Sequence, residues 1–320
     1  MKKIGLLTSG GDCSGMNACI RSVVRTAIYK GAEPYGIFRG YQGLIEGEIK
    51  PLKRRSVSNI LNRGGTILKT ARAPQFKTAS GQKKAKAAVD TWGLDGLIVI
   101  GGDGSFRGAH SFWQRYRVPV IGVPATIDND IRGTDFTIGD DTAVNTALDA
   151  IDKIRDTASS LERIFIVEVM GRDSGYIALQ VGLAGGAEDV IIPEKRFRIE
   201  KMCADIRRGH EKGKISWIIV VAEGAASGAD IARKITRKTG LETRVTVLGH
   251  IQRGGSPSAD DRVLATQLGH KAVQLLLSGK TDKMVGIINN CVKVTGLNYA
   301  IKKKKADIGT LYRLIRILAQ

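Results

Sequence analysis

The sequence predicts an α/β protein made of doubly wound layers with mostly parallel sheets. Short apolar runs rich in Val and Ile alternate with helix-length segments along the chain. Runs of this kind are typical of strands that are buried on both faces. Two of them, Leu97–Ile100 and Val118–Val123, are separated by Phe106–Arg117, which is long enough for a crossover helix. The length of 320 residues allows two modest domains or one large one.

The other elements follow from the spacing of apolar residues. A strand is expected over Lys3–Thr8, and the apolar positions of Gly15–Lys30 recur at helical spacing. The remaining predicted helices are Ser56–Asn62, Thr78–Trp92, Asp140–Ser159, Ser174–Leu183 and Asp260–Leu277, and the remaining predicted strands are Arg163–Met170 and Ile215–Ala222.

Composition restricts the class of protein. No apolar run approaches the roughly 20 residues of a membrane span, and the first residues lack the apolar core of a signal peptide. The four cysteines are scattered without a histidine cluster, which favours reduced cytoplasmic thiols over zinc ligands or disulfides. We therefore expect a cytoplasmic protein that does not contact a membrane.

The net charge of +19 raises the hypothesis of nucleic-acid binding. Lys302–Lys305 is a run of four lysines, but aromatic residues make up only 5% of the chain and are not interleaved with the basic ones. No nucleic-acid-binding motif is present in the sequence. An enzyme that handles several phosphate groups, with ordinary solvated lysines elsewhere, explains the charge better.

The two turns that follow the strand-like runs carry candidate chemistry. Gly101, Gly102 and Gly104 allow the backbone to approach a ligand closely, and Ser105 is a candidate N-cap of the helix behind them. Asp103 is unusual in a phosphate cradle unless it holds a hard cation such as Mg²⁺. The second turn adds two more acids, Asp128 and Asp130. Three carboxylates around one phosphate site indicate metal binding and general base chemistry, whereas the plainer alternative is a glycine turn with capping aspartates.

Motifs along nearly the whole chain resemble the 6-phosphofructokinases of the bacterial type. The chain has them in the family's order: Thr8-Ser-Gly-Gly-Asp12, Gly15-Met-Asn17, Gly101-Gly-Asp-Gly-Ser105, Pro124-Ala-Thr-Ile-Asp-Asn-Asp130, Met170-Gly-Arg172 and Gly249-His-Ile-Gln-Arg-Gly-Gly-Ser-Pro257. Several motifs in order are more specific than any single glycine loop.

The resemblance implies two doubly wound domains with the active site in the cleft between them. The nucleotide (ATP-Mg) domain is expected at 1–138 plus about 257–303, and the sugar-phosphate domain at 139–256 plus about 304–320. The implied activity is transfer of the γ-phosphoryl group of ATP to the 1-hydroxyl of fructose 6-phosphate in glycolysis. The implied assembly is a homotetramer in which substrate sites are shared between subunits.

The resemblance also assigns roles to individual residues. It implies that Asp128 takes the proton from the sugar hydroxyl, that Thr126 and Asp130 orient the phosphoryl group and metal, and that Arg172 meets the transferring charge. The implied nucleotide set is Gly11, Arg72, Ala73, Gly102, Asp103, Gly104 and Ser105, with Asp103 as the Mg²⁺ ligand. The implied substrate set is Thr126, Ile127, Asp128, Arg163, Met170, Gly171, Arg172, Glu223, Arg244, His250, Ile251, Gln252 and Arg253, with Arg163 and Arg244 reaching in from a neighbouring subunit.

The family has an effector site for ADP and phosphoenolpyruvate, which the chain matches in part. The matching residues are Arg21, Arg25, Arg54, Arg155, Glu188 and Lys214. Asn59, Ile215 and Ser216 replace more polar or charged residues of the best-known members, so the response to effectors stays open.

Two further alternatives concern the phosphoryl donor and the substrate. Pyrophosphate-using relatives have an aspartate where this chain has Gly104 and a lysine where it has Ala125. Familiar ATP-using members have glycine in place of Ala125, so the signal is mixed, but the missing lysine and the glycine at 104 favour ATP as the donor. Lipid and NAD kinases share a Gly-Gly-Asp-Gly turn, but they lack the Met-Gly-Arg and His-Ile-Gln-Arg motifs.

Overall fold

The fold is described from a computed structural model, which covers residues 3–161, 163–304 and 308–319. The strands of these residues are β1 (Lys3–Ser9), β2 (Glu33–Ile37), β3 (Ile49–Pro51), β4 (Gly96–Gly101), β5 (Val120–Pro124), β6 (Ile164–Val169), β7 (Asp189–Ile191), β8 (Trp217–Ala222), β9 (Thr243–Val247), β10 (Lys283–Ile288) and β11 (Cys291–Gly296). The helices are α1 (Met16–Tyr29), α2 (Gly40–Glu46), α3 (Ala79–Trp92), α4 (Asp103–Tyr116), α5 (Asp140–Leu161), α6 (Tyr176–Ala184), α7 (Ile199–Glu211), α8 (Gly228–Thr239), α9 (Ala259–Leu277), α10 (Leu297–Ala300) and α11 (Ile308–Leu318). No helix in the described part of the chain is long and apolar enough to cross a membrane.

The chain divides into two compact units. The first consists of the described residues of 1–142 and 253–305, and the second of those of 143–252 and 306–320. The chain leaves the first unit after residue 142 and returns to it at residue 253, and the predicted domain bounds stay a prediction. The roles given to the two domains, and the cleft as the active site, stay predictions.

The first unit contains a seven-stranded sheet in the order β11-β10-β5-β4-β1-β2-β3. Its central strands are parallel, as predicted, whereas β3 and β11 are antiparallel edge strands. Helices α2, α3 and α4 share an apolar cluster with the sheet that includes Leu7, Val99 and Phe112. Helix α1 packs against α9, and α9 also contacts β4 and β5. This is the doubly wound α/β layering that the sequence predicts.

The second unit contains a four-stranded parallel sheet in the order β7-β8-β6-β9. Ile166, Ile219 and Val221 of the sheet form one core with Met202 and Ile206 of α7. Helices α8 and α6 also contact the sheet, and α11 packs on α6 and β7. The predicted strands here are confirmed, with ends shifted by one or two residues.

Two local predictions are wrong. Helix α4 begins at Asp103 with Gly102 as its N-cap, so Ser105 lies inside the helix and does not cap it. The expected helix over Ser56–Asn62 is replaced by a single 3₁₀ turn at Arg54–Val57. A short segment without a sustained apolar stripe does not bury enough surface to hold an α-helix.

Two buried acids lie where α5 begins. Asp261 accepts hydrogen bonds from the backbone N–H of Gly139 (2.6 Å) and of Thr142 (2.8 Å), and it is 1% exposed. The backbone N–H of Thr137 donates to Asp140 (3.3 Å), which is also buried. Burial and the nearby Asp261 charge raise the pKa of Asp140 to about 8.

This pair makes stability depend on pH. Between the unfolded pKa of about 3.9 and the native value, the native carboxyl of Asp140 keeps a proton that the unfolded chain releases. The contribution of the protonated Asp140 carboxyl to the free energy of unfolding is therefore complete at low pH and is lost as pH rises through the native pKa.

Asp140→Asn retains an uncharged acceptor for Thr137. We expect it to reduce the fall in thermal midpoint between about pH 5.5 and about pH 8.5 by roughly 3 °C or more. Asp149→Asn, an exposed substitution on the same helix, is the control and should follow the parent curve. Equal slopes for Asp140→Asn and the parent would contradict this account.

Candidate active site

Three glycine-rich turns lie at one edge of the first sheet. Strands β1, β4 and β5 are parallel neighbours, with Ser9 paired to Gly101 and Gly101 paired to Pro124. The turns that begin at Gly10, Gly102 and Ala125 therefore leave the sheet side by side at its carboxyl edge. This is the position where open α/β sheets bind ligands.

The turn after β4 requires glycine because the backbone is crowded there. A Cβ on Gly101 would lie 2.4 Å from the Ser9 carbonyl oxygen and 2.6 Å from Ser105 Oγ. A Cβ on Gly102 would lie 3.6 Å from Thr126 Cβ, which places the β4 and β5 turns in contact. The crowding brings the N-terminus of α4 against both strands. The N–H groups and dipole of this first turn are suited to binding an anion.

Gly104 differs from these glycines because it faces open space. A Cβ built on it meets no atom within 4 Å. The backbone N–H of Gly104 is 2.6 Å from Asp103 Oδ1, so this carboxylate lies against the first turn of the helix. Room for a ligand is therefore present directly in front of the anion site.

Asp103 fits the single-carboxylate type of magnesium site. Its side chain is 41% exposed, and its second oxygen lies 3.3 Å from Arg107 Nη2. Mg²⁺ in kinases usually takes one or two carboxylates and completes its shell with water and phosphate oxygens. Within residues 3–161, 163–304 and 308–319, no three His, Cys, Asp or Glu side chains come together as a metal site. The assignment of Asp103 as the Mg²⁺ ligand, with Asp128 as the base, stays a prediction.

The turn after β5 buries its candidate base. Ala125 forms an isolated bridge with Ile138 and is 1% exposed, so its methyl group is enclosed by protein. Thr126 is bonded to the neighbouring loop, since Thr137 Oγ1 donates to its carbonyl oxygen (2.6 Å). Asp128 is 5% exposed, and its backbone N–H donates to Thr126 Oγ1 (3.3 Å). Ile127 is also buried.

The turn after β1 is covered by an arginine. A Cβ on Gly11 would lie 2.1 Å from Arg253 Nη1, and that nitrogen is 3.9 Å from Asp12 Oδ1. The structure thus brings Arg253, a predicted sugar-phosphate residue, to Gly11 of the predicted nucleotide set. Arg72 is exposed in the loop before the 3₁₀ turn Pro74–Lys77, whereas Ala73 packs partly against the core.

In the second unit, predicted substrate residues share the carboxyl edge of the sheet. Strand β6 leads into Met170, Gly171 and Arg172, and β8 leads into Glu223. The backbone N–H of Arg172 donates to Glu223 (3.2 Å), and that of Met170 donates to the buried Gln252 (2.8 Å). Gly171 and Arg172 both have positive φ angles (142° and 51°). Glycine adopts this conformation freely, whereas Arg172 is strained by it, and backbone strain accumulates at functional sites.

The two arginines predicted to serve a neighbouring subunit lie together at the edge strand. Arg163 Nε donates to Glu242 (2.7 Å), and Arg244 also forms an ion pair with Glu242. His250 and Ile251 are exposed in the 3₁₀ turn that follows β9. Arg163 is half-buried, and Arg244 is exposed like His250 and Ile251.

The predicted effector residues are distributed over both units. Arg21 and Arg25 lie four residues apart on α1, and Arg54 is exposed in the 3₁₀ turn that contacts this helix. In the second unit, Lys214 Nζ is 3.1 Å from Glu188, and Arg155 donates to the carbonyl oxygen of Gly186 (2.7 Å). The structure thus brings the members within the second unit close to one another.

Sequence reasoning missed one residue next to the candidate base. Lys304, which was counted among surface lysines, donates to Asn129 Oδ1 (2.9 Å). Nothing in a run of four lysines distinguishes the member that is drawn inward.

Comparison with known proteins identifies the family. The sequence profile of Phosphofructokinase matches residues 3–276. The ATP-dependent 6-phosphofructokinase of Bacillus subtilis (strain 168) is 59% identical over 319 residues, covering 100% of both chains. That of Halalkalibacterium halodurans is 56% identical over 319 residues with the same coverage.

Solved structures share the fold. The phosphofructokinase of Saccharomyces cerevisiae superposes with a TM-score of 0.89 at 36% identity, covering 94% of this chain and 45% of the yeast chain. This chain thus spans less than half of the yeast chain. The pyrophosphate-dependent phosphofructokinase of Marinobacter aquaeolei has a TM-score of 0.84 at 24% identity, covers 96% of this chain and 86% of its own, and shares the fold alone. From its sequence profile and its full-length relatives, the chain belongs to the phosphofructokinase family.

Proposed function

We propose that this chain is an ATP-dependent 6-phosphofructokinase. It transfers the γ-phosphoryl group of ATP to the 1-hydroxyl of fructose 6-phosphate and yields fructose 1,6-bisphosphate and ADP. The observation that carries this proposal is the side-by-side arrangement of the turns after β4 and β5. It sets an anion-binding helix N-terminus next to a buried carboxylate, which are the two requirements of phosphoryl transfer to an alcohol. Action in glycolysis, within the cytoplasm, is part of this proposal.

The residues divide the chemistry between them. The first turn of α4 and Gly11 hold the nucleotide phosphates, with Arg72 and Ala73 beside them. Asp128 accepts the proton of the 1-hydroxyl while that oxygen attacks the γ-phosphorus, and the bond to ADP breaks. Thr126 and Asp130 orient the transferring group, and Arg172 neutralises its charge. The family's reaction requires a divalent metal, which we propose to be Mg²⁺ at Asp103, where it would neutralise phosphate charge.

We further propose that the second unit recognises the sugar phosphate. Met170, Gly171 and Glu223 of this unit suit the sugar. His250 of this unit and Arg253, which belongs to the first unit, suit the 6-phosphate, because arginine can bind phosphate oxygens in pairs. Arg163 and Arg244 serve the site of a neighbouring chain in a homotetramer. Arg21, Arg25, Arg54, Arg155, Glu188 and Lys214 form an anion site for an effector.

The first test is a coupled assay with fructose 6-phosphate that offers ATP or pyrophosphate in parallel. We expect turnover with ATP and little with pyrophosphate, because Gly104 leaves space for a nucleotide and Ala125 supplies no lysine cation. Robust turnover with pyrophosphate and none with ATP would contradict the proposed donor.

A substitution at Gly104 tests the basis of this choice. An added side chain meets no protein atom, and an aspartate in the first turn of a helix is favourable, so Gly104→Asp should fold normally. Its charge should repel the nucleotide phosphates and lower kcat/KM for ATP by about 10²-fold or more. Gly104→Asn has the same size without the charge and should lose much less. Equal losses in the two variants would assign the effect to bulk.

Asp128→Asn tests the proposed base. The amide keeps the shape of the side chain but cannot accept the proton. We expect turnover to fall by about 10²-fold or more, with the affinity for fructose 6-phosphate retained. Asp149→Asn, on the exposed face of α5, is the control for loss of one carboxylate. Turnover near the parent value in purified Asp128→Asn would exclude the base role.

Mixed oligomers test the shared site. Arg244→Ala chains and Asp128→Asn chains should each be nearly inactive alone. A mixed pair would contain one site with both functional side chains, so random mixing should restore activity to about a quarter of the sites. Mixed oligomers that stay inactive, or a parent chain that is monomeric and active, would contradict sharing.

A further inference from the structure

Lys304 differs from the lysines beside it in the run. Lys302 and Lys303 are exposed, whereas Lys304 is half-buried. Its ammonium donates to Asn129 Oδ1 (2.9 Å) and to the backbone carbonyl oxygen of Asp135 (3.1 Å). One ammonium group of the run of four lysines thus contacts the loop that carries the candidate base.

The partner of Lys304 lies directly between two predicted active-site acids. Asn129 separates Asp128 from Asp130 and has a left-handed backbone (φ 44°). Its Nδ2 donates to the carbonyl oxygen of Asp135 (2.9 Å), and its Oδ1 receives Lys304. Asparagine tolerates this backbone conformation better than most residues, and here both ends of its amide are held.

The same loop is braced from the other side by the hairpin of β10 and β11. The backbone N–H of Asp135 donates to the Ile287 carbonyl oxygen (2.7 Å), and that of Asn289 donates to Asp135 Oδ2 (2.8 Å). An isolated bridge joins Ile131 to Lys303. Backbone contacts therefore bring Lys304 to the loop, and its side chain adds the charge.

Charge explains why a cation is suited to this place. Burial lowers the pKa of Lys304 below its usual value, and the carboxylates of Asp140, Asp135 and Asp130 offset this effect in part. A buried ammonium is costly unless hydrogen bonds and opposite charges compensate it, and here both are present.

We propose that Lys304 is a positioning residue for phosphoryl transfer, because it fixes Asn129 and thereby the orientation of Asp128 and Asp130. The proposal rests on the proposed function of Asp128. Lys304 acts through the turn and does not contact a substrate. Its loss therefore affects the rate of the transfer step more than the binding of the sugar phosphate. Small displacements of catalytic groups have large effects on rate.

The main test compares Lys304→Met with Lys302→Met in the full-length protein. Methionine keeps the length of the apolar stem without the charge, and Lys302 is the exposed neighbour in the run. We expect Lys304→Met to lower kcat by about 10-fold or more while KM for fructose 6-phosphate changes by less than about 2-fold. Lys304→Arg, which keeps the charge, should recover part of kcat. Lys302→Met should behave as the parent.

A double substitution tests whether Asn129 transmits the effect. Asn129→Gly removes the side chain without straining the left-handed backbone. If Lys304 acts through Asn129, the kcat of the variant that carries both Lys304→Met and Asn129→Gly should lie within about 2-fold of the kcat of the more impaired single variant. If the fold-losses in kcat of the two single variants multiply in the double variant, Lys304 does not act through Asn129.

Amide hydrogen exchange separates this proposal from the proposed function. Segment 128–135 should exchange faster in Lys304→Met than in the parent, and Lys302→Met should match the parent. If the parent does not turn over fructose 6-phosphate, the proposed function is refuted. Faster exchange in Lys304→Met would in that case still show that Lys304 holds the loop in place. Unchanged exchange, or an unchanged kcat, overturns the positioning role. A joint fall in kcat, sugar-phosphate affinity and thermal midpoint without recovery in Lys304→Arg overturns it as well.

Discussion

The close backbone contact between the ends of β1 and β4 is the constraint on which the first unit depends. A Cβ at Gly101 would collide with the Ser9 carbonyl oxygen at 2.4 Å. Because no side chain fits there, the two strands end together and α4 begins directly behind them. The free N–H groups of that helix therefore point out over the sheet edge, where the β5 turn brings Asp128. The positions of the α4 N-terminus and of the candidate base thus both depend on the close contact between Gly101 and Ser9. A larger residue at Gly101 would displace both.

A second line of contacts holds the far side of the β5 turn, and most of it comes from late in the sequence. Hairpin strands β10 and β11 and Lys304 contact the loop between Asn129 and Asp135, while Asp261 of α9 holds the start of α5 through Gly139 and Thr142. Strand β5 and helix α5 lie at the two ends of this loop. The described residues of 253–305 thus complete the first unit, which gives a physical reason for the chain to return to it.

The sequence predicted the parts of this arrangement that depend on local periodicity. Parallel strands β1, β4 and β5 were readable because both of their faces are buried, and α1 and α9 because their apolar residues recur at helical spacing. The motifs also indicated the anion site and its acids. The N-cap was misplaced at Ser105, because the helix begins two residues earlier, after Gly102, which makes no side-chain capping hydrogen bond that a capping preference could predict. The antiparallel hairpin of β10 and β11 was not predicted, since β11 is largely exposed and lacks a strong apolar alternation.

The position of Lys304, which escaped prediction, and the position of Arg253, which was predicted as a sugar-phosphate residue, share a physical cause, which is burial of charge by tertiary contacts. Lys304 and Arg253 belong to stretches of polar residues, so their sequence context favours solvent. Each is drawn inward by groups more than a hundred residues away, Lys304 by Asn129 and Arg253 by Asp12. For Arg253 the contact has a functional consequence. Its guanidinium occupies the space in front of Gly11, where the proposed function requires nucleotide phosphate, and its Nε is buried without a hydrogen-bond partner among the described residues. A weak ion pair at 3.9 Å and an unsatisfied donor are inexpensive to give up. Arg253 is therefore weakly held in front of Gly11, and binding of nucleotide phosphate at Gly11, as proposed, requires its guanidinium to move.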